Sequence, residues 1–508
     1  MGGFRPNLQR MLRIDARRLS GLVRRAVVVG ALVWLPSGAA AQNSVVAAAQ
    51  ALQAAGELAQ AARLLEAHLA EHPDDSEAGR ALAQTLYWLH DVSGARRIYD
   101  ASLVRHPNDT RLQMEYARML AETGEPARAR ALLTPLRDIP GTRADALTLL
   151  GTLAYWQGDL TAAEALFSDA LRASPEQPDA RRMVQEIYTA TAPWVRVSPA
   201  LWHDDQPYTR GAVLVEAGWF ATPLAPVRVR MQPVHFTNDA ASTTIWNGDA
   251  EIGHFAPRLR LETMIAGGIV YRDLSGRRST DWKGGASAGV RLPGQATLRA
   301  RIDRAPYLAT PVSLASNITT RTIAGELQWN HPRGWLAQAA WQRQRFPDDN
   351  AIRTVYGWVL APVVRQPRVE LHAGYAFAAD DAEESRFGSA GYEPYYTPSQ
   401  VVKHSLIGSV TARPASRVTL RTGGAYAVRA TEDAPSLVTV GGRTQRVFAA
   451  RELQAWDARS SVELTTTNAV TIGVSGQFGR GAFYEWAAGE LSVTYRFMPR
   501  PRSQSEPR

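Results

Sequence analysis

The sequence predicts an α-helical repeat solenoid followed by an antiparallel transmembrane β-barrel of about sixteen strands. Residues 193 to 497 alternate between apolar and polar side chains in segments of roughly ten residues, separated by turns. The preceding residues have helical periodicity that recurs about every 34 residues. No stretch after the N-terminal segment has 18 consecutive apolar residues, so a membrane location has to come through strands.

The last alternating segment, Glu490 to Phe497, shows why a barrel is predicted. Successive strand side chains point to opposite faces. One face therefore suits lipid and the other suits water, and the same division recurs at 297–303 and 368–377. The lipid-facing set of the last segment is Leu491, Val493, Tyr495 and Phe497, and the water-facing set is Glu490, Ser492, Thr494 and Arg496.

Sixteen such segments can be placed, an even number as single-chain bacterial barrels require. Because the boundaries of these segments are uncertain by about two to four residues, a barrel of fourteen or eighteen strands is also compatible with the sequence. Alternate connections are short and mostly contain proline, whereas the other set includes long stretches at 305–318, 379–399 and 430–449. The predicted strands are 193–202, 209–221, 226–237, 243–255, 257–272, 279–291, 295–304, 319–330, 333–345, 351–361, 366–378, 400–412, 416–429, 450–465, 468–479 and 484–497.

Residues 1–41 have the pattern of a secretory signal peptide, with arginines, an apolar run and Ala39-Ala40-Ala41 before the expected cleavage. The first 25 residues hold seven arginines and one aspartate, so most of the formal charge of +9 leaves with this segment. The mature chain is then near +3, which removes most of the electrostatic case for a nucleic-acid partner. The absence of cysteine excludes disulfides and thiol catalysis.

Residues 42–191 are predicted to form four tetratricopeptide repeats and a capping helix from 177 to 191. Proline follows His72, His106, Ile139 and Ser174 at spacings of 34, 33 and 35 residues. The fourth repeat matches best, with small residues at Gly151 and Ala163 and with Phe167 between helices. Such a solenoid either binds a protein or peptide in its groove or acts as a spacer.

Alternation places many charged side chains on the water-facing side of the barrel. One interpretation is that arginine and carboxylate ladders brace the wall, and the other is that a basic excess guides a polar or anionic polymer. The candidates for a polymer path include Arg299, Arg301, Arg417 and Arg421.

Aromatic residues concentrate in the same half of the chain. Most tryptophans are expected at the membrane interface, while Trp486 and Tyr356 are candidates for stacking on sugar rings. The set predicted to face outward is Trp219, Trp246, Trp282, Trp329, Trp335, Trp341 and Trp358.

Enzyme signatures are weak, and the sequence predicts neither catalysis nor a cofactor. His203-Asp204-Asp205 is the nearest approach to a metal or acid–base site, but a solvated loop explains it better.

One loop is more specific: Gly391-Tyr392-Glu393-Pro394-Tyr395-Tyr396-Thr397-Pro398-Ser399-Gln400. Together with the repeats and the barrel, it resembles the exporter subunit of bacterial cellulose synthesis. The resemblance implies a Gram-negative outer-membrane channel for an exopolysaccharide, surrounded by outer-membrane lipid, and a periplasmic solenoid that docks a periplasmic or inner-membrane protein. It also implies a polymer path past Tyr392, Tyr395, Tyr396, Thr397 and Pro398.

The four repeats are fewer than those exporters have, so a separate scaffold protein would be needed to reach the inner membrane. The alternative is an outer-membrane anchor or assembly protein whose barrel is plugged. A glycan- or lipid-modifying enzyme is a third option. Residues 498–508 are expected to form a disordered tail.

Overall fold

The computed structural model describes residues 38–498, except 207, 239–241, 275–276, 310–312, 315–317 and 390. The predicted signal peptide lies outside this range apart from its last four residues, which begin the first helix. The predicted C-terminal tail also lies outside it, apart from Met498.

The helical unit consists of four antiparallel helix pairs and one further helix within the described residues. This arrangement confirms the predicted tetratricopeptide solenoid. The helices are α1 Gly38–Ala54, α2 Leu58–Glu71, α3 Ser76–Trp88, α4 Val92–Arg105, α5 Thr110–Glu122, α6 Pro126–Leu136, α7 Arg143–Trp156, α8 Leu160–Ala173 and α9 Pro178–Thr191.

The repeat signature residues form the solenoid core. Ala49, Ala61, Ala95, Ala117 and Ala129 are fully buried because they allow neighbouring helices to approach closely. The larger signature residues fill the spaces between pairs, among them Leu65, Tyr99, Leu120, Leu133 and Phe167. Hydrogen bonds also connect the first helices of successive repeats, such as Tyr87 to Glu122 at 2.7 Å.

Aspartates begin several of the helices. Asp75 accepts from the Ala78 N–H at 3.0 Å, Asp91 from the Gly94 N–H at 2.8 Å, and Asp109 from the Leu112 N–H at 3.0 Å. Each carboxylate satisfies a backbone donor that has no partner within its own helix, and it complements the helix dipole.

The strand unit is one antiparallel sheet that closes on itself, because β1 pairs with both β2 and β19. Within the described residues, sixteen strands form the wall, as the sequence predicts. The wall strands are β1 Trp194–Asp204, β2 Thr209–Thr222, β3 Ala225–Thr237, β4 Ser242–Ala256, β5 Leu261–Leu274, β6 Arg277–Leu292, β7 Ala296–Pro306, β8 Thr319–Asn330, β9 Leu336–Arg345, β10 Ala351–Arg365, β11 Val369–Ala382, β14 Val401–Ala415, β15 Val418–Val440, β17 Trp456–Thr465, β18 Val470–Arg480 and β19 Glu485–Arg496.

Three short or partial strands lie outside this wall. β12 Phe387–Gly388 and β13 Gly391–Tyr392 form a small hairpin, and β16 Arg443–Glu452 pairs with the last ten residues of β15. The prediction of a loop at 430–449 is therefore wrong. The β-branched residues from Thr431 onward continue β15 into a ribbon, which turns at Gly441 and Gly442.

The two rims of the barrel differ. Short connections such as Pro293–Gln295 join strands at one rim, here called the turn rim, and β1 begins there. The opposite rim, here called the loop rim, carries the connections 307–318, 346–350, 383–400 and 481–484.

The outer face of the wall is apolar. Leu298, Ile302, Ile323 and Leu327 are all exposed and share one face of β7 and β8. Such a continuous apolar band would be costly in water and suits the hydrocarbon core of a bilayer. Among the described residues, none of the helices has the length and apolar character that a bilayer crossing needs.

Gly151 provides a test of the solenoid packing. A Cβ added there would lie 2.8 Å from Cε1 of Phe167, so we expect Gly151→Ala to destabilise the solenoid by about 1–3 kcal/mol. Urea unfolding of the full chain in detergent, followed by the helical circular-dichroism signal, measures this. Gly141→Ala is the control, since no heavy atom lies within 4 Å of its added Cβ. Equal midpoints for the two variants would contradict the packing described above.

Candidate functional site

The strand register defines which side chains point into the barrel. Arg299 pairs with Glu326, Glu326 with Ala340, and Ala340 with Tyr356. Cross-strand partners share a face, and the exposed residues Leu298 and Leu327 lie on the opposite one. Arg299 and Tyr356 therefore point to the interior.

A charge ladder lines the interior from β1 to β8. Arg228 lies 3.2 Å from Glu251, Arg230 lies 2.6 Å from Asp249, and Lys283 lies 2.6 Å from the same aspartate. Glu262 then links Arg291 to Arg299. Alternating signs on adjacent strands neutralise one another, so the ladder braces the wall without leaving a strong local field.

The predicted polymer-path arginines belong mostly to such pairs. Arg299 approaches Glu262 at 3.6 Å, Arg301 approaches Asp303 at 3.1 Å, and Arg421 approaches Glu463 at 3.4 Å. Arg417 is different, because it lies exposed in the turn before β15 and donates to the carbonyl of Thr466 at 3.0 Å. Its predicted place on the interior wall is wrong, because the strand begins one residue later, at Val418.

Acidic and basic side chains on the interior face are nearly equal in number. Within the described strands the basic side chains outnumber the acidic ones by two, so the expected basic excess is small. Within the described strands, the basic set is Arg196, Arg210, Arg228, Arg230, Arg272, Lys283, Arg291, Arg299, Arg301, Arg365, Lys403, Arg413, Arg421, Arg459 and Arg496. The acidic set is Asp204, Glu216, Asp249, Glu251, Glu262, Asp281, Asp303, Glu326, Glu370, Asp380, Asp457, Glu463 and Glu490.

The connection 383–400, which holds the Gly391 to Gln400 motif, folds against the interior wall at the loop rim. Tyr395 stacks on Phe346 with ring centroids 3.7 Å apart and an interplanar angle of 11°. It also meets Tyr307 edge-on, at 6.2 Å. Only 2% of Tyr395 is exposed, so its ring anchors the loop and does not face an open lumen.

Asp348 is the charged centre of this anchor. Its carboxylate accepts from the Tyr395 hydroxyl at 2.8 Å and from Arg386 at 2.7 Å. Burial alone would raise the pKa of Asp348, but the hydrogen bonds from Arg386 and Tyr395 outweigh it and hold this pKa below its usual range. Burial and the bond to Asp348 raise the pKa of Tyr395 to about 12.

Thr397 and Pro398 also serve the loop itself. Thr397 is buried and its hydroxyl oxygen accepts from the Arg386 N–H at 2.8 Å. The carbonyl of Pro398 accepts from the Ala382 N–H at 2.8 Å, which fastens the loop to the end of β11. Both residues hold the loop in place, which leaves Tyr392 and Tyr396 as the more accessible members of the predicted set.

Tyr392 and Tyr396 form a second aromatic group with Phe483, which belongs to the connection between β18 and β19. Tyr396 lies 4.8 Å from Tyr392 and 5.1 Å from Phe483, both edge-on. The Tyr396 hydroxyl donates to Glu432 at 2.7 Å, and Arg451 pairs with that glutamate at 2.5 Å. Burial, followed by the hydrogen bond to Glu432, raises the pKa of Tyr396.

A second loop covers another part of the interior. Leu314, from the connection 307–318, packs with Tyr208, Val234, Ile245 and Val270. Beneath it Arg272 is fully buried, pairs with Asp281 at 2.6 Å and donates to the Leu314 carbonyl at 3.5 Å. No local pattern in the sequence predicts this contact, because partners 42 residues apart meet only when the loop folds inward.

The tryptophans are mostly where the alternation placed them. Trp219, Trp246, Trp282, Trp329, Trp335 and Trp341 are exposed. Trp358 was predicted to face outward and does not, since it pairs with Gln338 on the face of Arg299 and donates to its side chain at 2.9 Å. Trp486 faces inward, opposite to the exposed residues Leu491 and Val493 of the same strand.

The segment His203-Asp204-Asp205 lies at the end of β1. Asp204 is buried and accepts from the N–H groups of Gln206 and Tyr208 at 3.0 Å each, which shapes the connection to β2. In the described ranges, no group of three or more side chains is arranged to hold a metal ion.

The fold and interior together define a tetratricopeptide-repeat protein with a closed, membrane-type β-barrel. Tetratricopeptide repeat family models match residues 52–119 and 142–181. No curated protein matches the chain.

Three solved structures indicate what the two units are similar to. A bacterial polysaccharide outer membrane secretin aligns at 10% identity and a TM-score of 0.45, over 60% of this chain and 99% of that one. CdiB from Acinetobacter baumannii aligns at 5% identity and a TM-score of 0.37, over 60% of each chain. PilW, a type IV pilus biogenesis factor, aligns at 21% identity and a TM-score of 0.27, over 30% of this chain and 69% of that one. The function is therefore argued from the residues of this chain.

The anchor of the 383–400 loop is testable through Asp348. We expect Asp348→Asn to remove a charge-assisted pair worth about 1 kcal/mol, since solvent screens a carboxylate that is 37% exposed, and to raise hydrogen exchange of the loop about fivefold at neutral pH. Because the folded pKa of Asp348 is lowered, the stabilisation is fully present above about pH 4 and is lost as the pH falls through the folded pKa.

Hydrogen exchange of peptides covering 383–400, measured by mass spectrometry between neutral pH and about pH 3 with correction for intrinsic rates, reports both effects. Asp349→Asn is the matched control, since the Asp349 side chain makes no hydrogen bond or ion pair among the described residues and Asn tolerates the positive φ of 64° at this position. Protection that is the same in the two variants would show that Asp348 does not hold the loop.

Proposed function

We propose that this protein exports an exopolysaccharide across the bacterial outer membrane, and that its periplasmic solenoid docks a protein of the synthesis machinery. The observation that carries the proposal is the interior wall of the barrel. Its charges are numerous and nearly balanced, and most lie in ion pairs on neighbouring strands. A polar wall without a strong net field suits the passage of a hydrated, weakly charged polymer.

The Gly391 to Gln400 motif supports the same proposal through its resemblance to cellulose exporters. Its tyrosines lie at the loop rim, where a polymer would leave the barrel. Tyr392 and Tyr396 remain half-buried and meet Phe483 from another loop. We propose that this aromatic group borders the exit and that the chain itself carries out no covalent chemistry on the polymer.

A second function is favoured by one specific observation. Described residues of two connections, among them Leu314 of 307–318 and Tyr395 of 383–400, pack on the interior side of the loop rim. A barrel closed in this way would suit an outer-membrane anchor whose solenoid recruits assembly partners. The two functions differ in whether the lumen is the path of the polymer, and the next experiment tests that point.

Adjacent serines on β17 point to opposite faces and allow a matched test. Ser461 shares the interior face of Arg421 and Ser475, while Ser460 faces outward. The chain has no cysteine, so a thiol introduced at either position is the only reactive site. In cells whose surface glycan depends on this gene, we expect a bulky maleimide on Ser461→Cys to block export, because it narrows the lumen.

The same reagent on Ser460→Cys should leave export unchanged. Surface and periplasmic glycan, quantified after labelling, report the outcome, with labelling confirmed by mass spectrometry. Unchanged surface glycan in a fully labelled Ser461→Cys strain would favour the anchor function, as would a gene deletion that leaves the surface glycan intact.

The solenoid has exposed apolar residues that would suit a protein partner. Trp88 and Trp156 end the first helices of the second and fourth repeats, two repeat periods apart, and are 43% and 41% exposed. Exposed tryptophans are enriched at protein interfaces and often dominate their energetics.

We expect the double variant Trp88→Ala and Trp156→Ala to lower the yield of a crosslinked periplasmic partner at least tenfold, because each anchor contributes about 2 kcal/mol or more. Quantitative mass spectrometry of crosslinked membranes measures this yield. Val104→Ala is the control, an apolar residue that is 83% exposed at the end of α4. A yield unaffected by the double variant would place the partner elsewhere on the solenoid.

A further inference from the structure

The interior wall formed by β17, β18 and β19 differs from the ladder on β1 to β8. Asp457, Arg459, Gln477 and Glu490 all point inward on these three strands. Within the described ranges, none of the four side chains makes a hydrogen bond or an ion pair, whereas the ladder residues on the other side are paired. The described residues of these three strands therefore present free charged and amide groups to the interior.

These four side chains lie in consecutive rows below the loop rim. Asp457 is level with Gly479 and Trp486, and Arg459 is level with Gln477. Glu490 lies one row further in, level with Ser475. Successive rows on one face are separated by about 7 Å, so the patch follows the direction in which a polymer would move.

Trp486 supplies the apolar surface of this patch. A Cβ added to Gly479 would lie only 3.1 Å from Cζ2 of Trp486, so the indole ring rests beside a position that has no side chain. Because Gly479 has no side chain, β18 places no side-chain atom in the space beside Cζ2 of the ring. Trp486 is half-buried, which leaves part of its surface toward the lumen.

We propose that Trp486, Asp457, Arg459, Gln477 and Glu490 form a binding subsite for an uncharged, hydroxyl-rich sugar chain. The proposal rests on the export function and adds a place and a substrate class to it. The indole face would cover the C–H face of a pyranose ring, and the carboxylates, guanidinium and amide would bond its hydroxyl groups. Two carboxylates and one guanidinium give the patch an excess of negative charge, which disfavours a polyanion.

The opposite side of the barrel provides a natural comparison. Trp358 also points inward, but its N–H donates to Gln338 at 2.9 Å, and the same amide donates to the Tyr356 hydroxyl at 3.2 Å. The polar groups around Trp358 already bond one another. The subsite is therefore assigned to the wall around Trp486 and not to interior tryptophans in general.

Isothermal titration calorimetry of the full chain in detergent, with cellohexaose as the probe, tests this assignment. We expect Trp486→Ala to weaken binding about tenfold or more, and Asp457→Asn with Arg459→Gln to weaken it as well. Trp358→Ala is the matched control and should bind as the native chain does. A hexamer of galacturonic acid should bind more weakly than cellohexaose, because Asp457 and Glu490 repel it.

The possible results separate the subsite from the export function. Export that depends on the gene, together with equal affinities in Trp486→Ala and Trp358→Ala, would overturn the subsite and leave export standing. No measurable binding of cellohexaose to the native chain would also overturn it, as would tighter binding of the acidic hexamer. A third result combines two measurements. If Trp486→Ala weakens cellohexaose binding in calorimetry, but deletion of the gene leaves the surface glycan of cells unchanged, the subsite is supported and export is rejected. Heat-modifiable migration in gel electrophoresis confirms that each variant retains a folded barrel.

Discussion

The strand unit depends on one constraint, which is that a backbone crossing hydrocarbon must pair all of its N–H and C=O groups. The pairing of β1 with β19 meets this constraint, because it leaves no open edge in the wall. Once the sheet is closed, each side chain has only two directions available. Apolar residues such as Leu298 and Ile302 then lie outside, and charged residues such as Arg299 and Arg301 lie inside.

The interior charges follow from the same closure. A charge removed from bulk water is stabilised best by an opposite charge on the adjacent strand, as Arg230 is by Asp249 and Glu251. The paired ladder on β1 to β8 accounts for structure, and the unpaired side chains on β17 to β19 remain available for a ligand. The two sides of the wall therefore differ in how their charges are paired, although both consist of the same residue types.

At the loop rim, one segment contains both residues that anchor it and more accessible aromatic residues. In the Tyr392 to Pro398 stretch, Tyr395, Thr397 and Pro398 fix the loop to the wall, while Tyr392 and Tyr396 extend to Phe483 on a different loop. A rigid anchor next to a more accessible aromatic pair positions that pair at the rim. It also explains why a motif recognisable in sequence contains residues with no direct access to the lumen.

The sequence by itself determined the two units, the four repeats with their buried alanines, the sixteen wall strands and the direction of most side chains, because periods of two and 3.6 residues act locally. It failed where the outcome depends on distant partners. Trp358 points inward although an outward direction was predicted, Arg417 lies in a turn and not on the wall, and the predicted loop at 430–449 continues β15 as a ribbon. Only the tertiary structure decided which charges are paired, as with Arg272 and Asp281, and which stay free, as with Asp457 and Arg459. The physical reason is that cross-strand register and inward loop folding join residues whose separation in the chain carries no local signal.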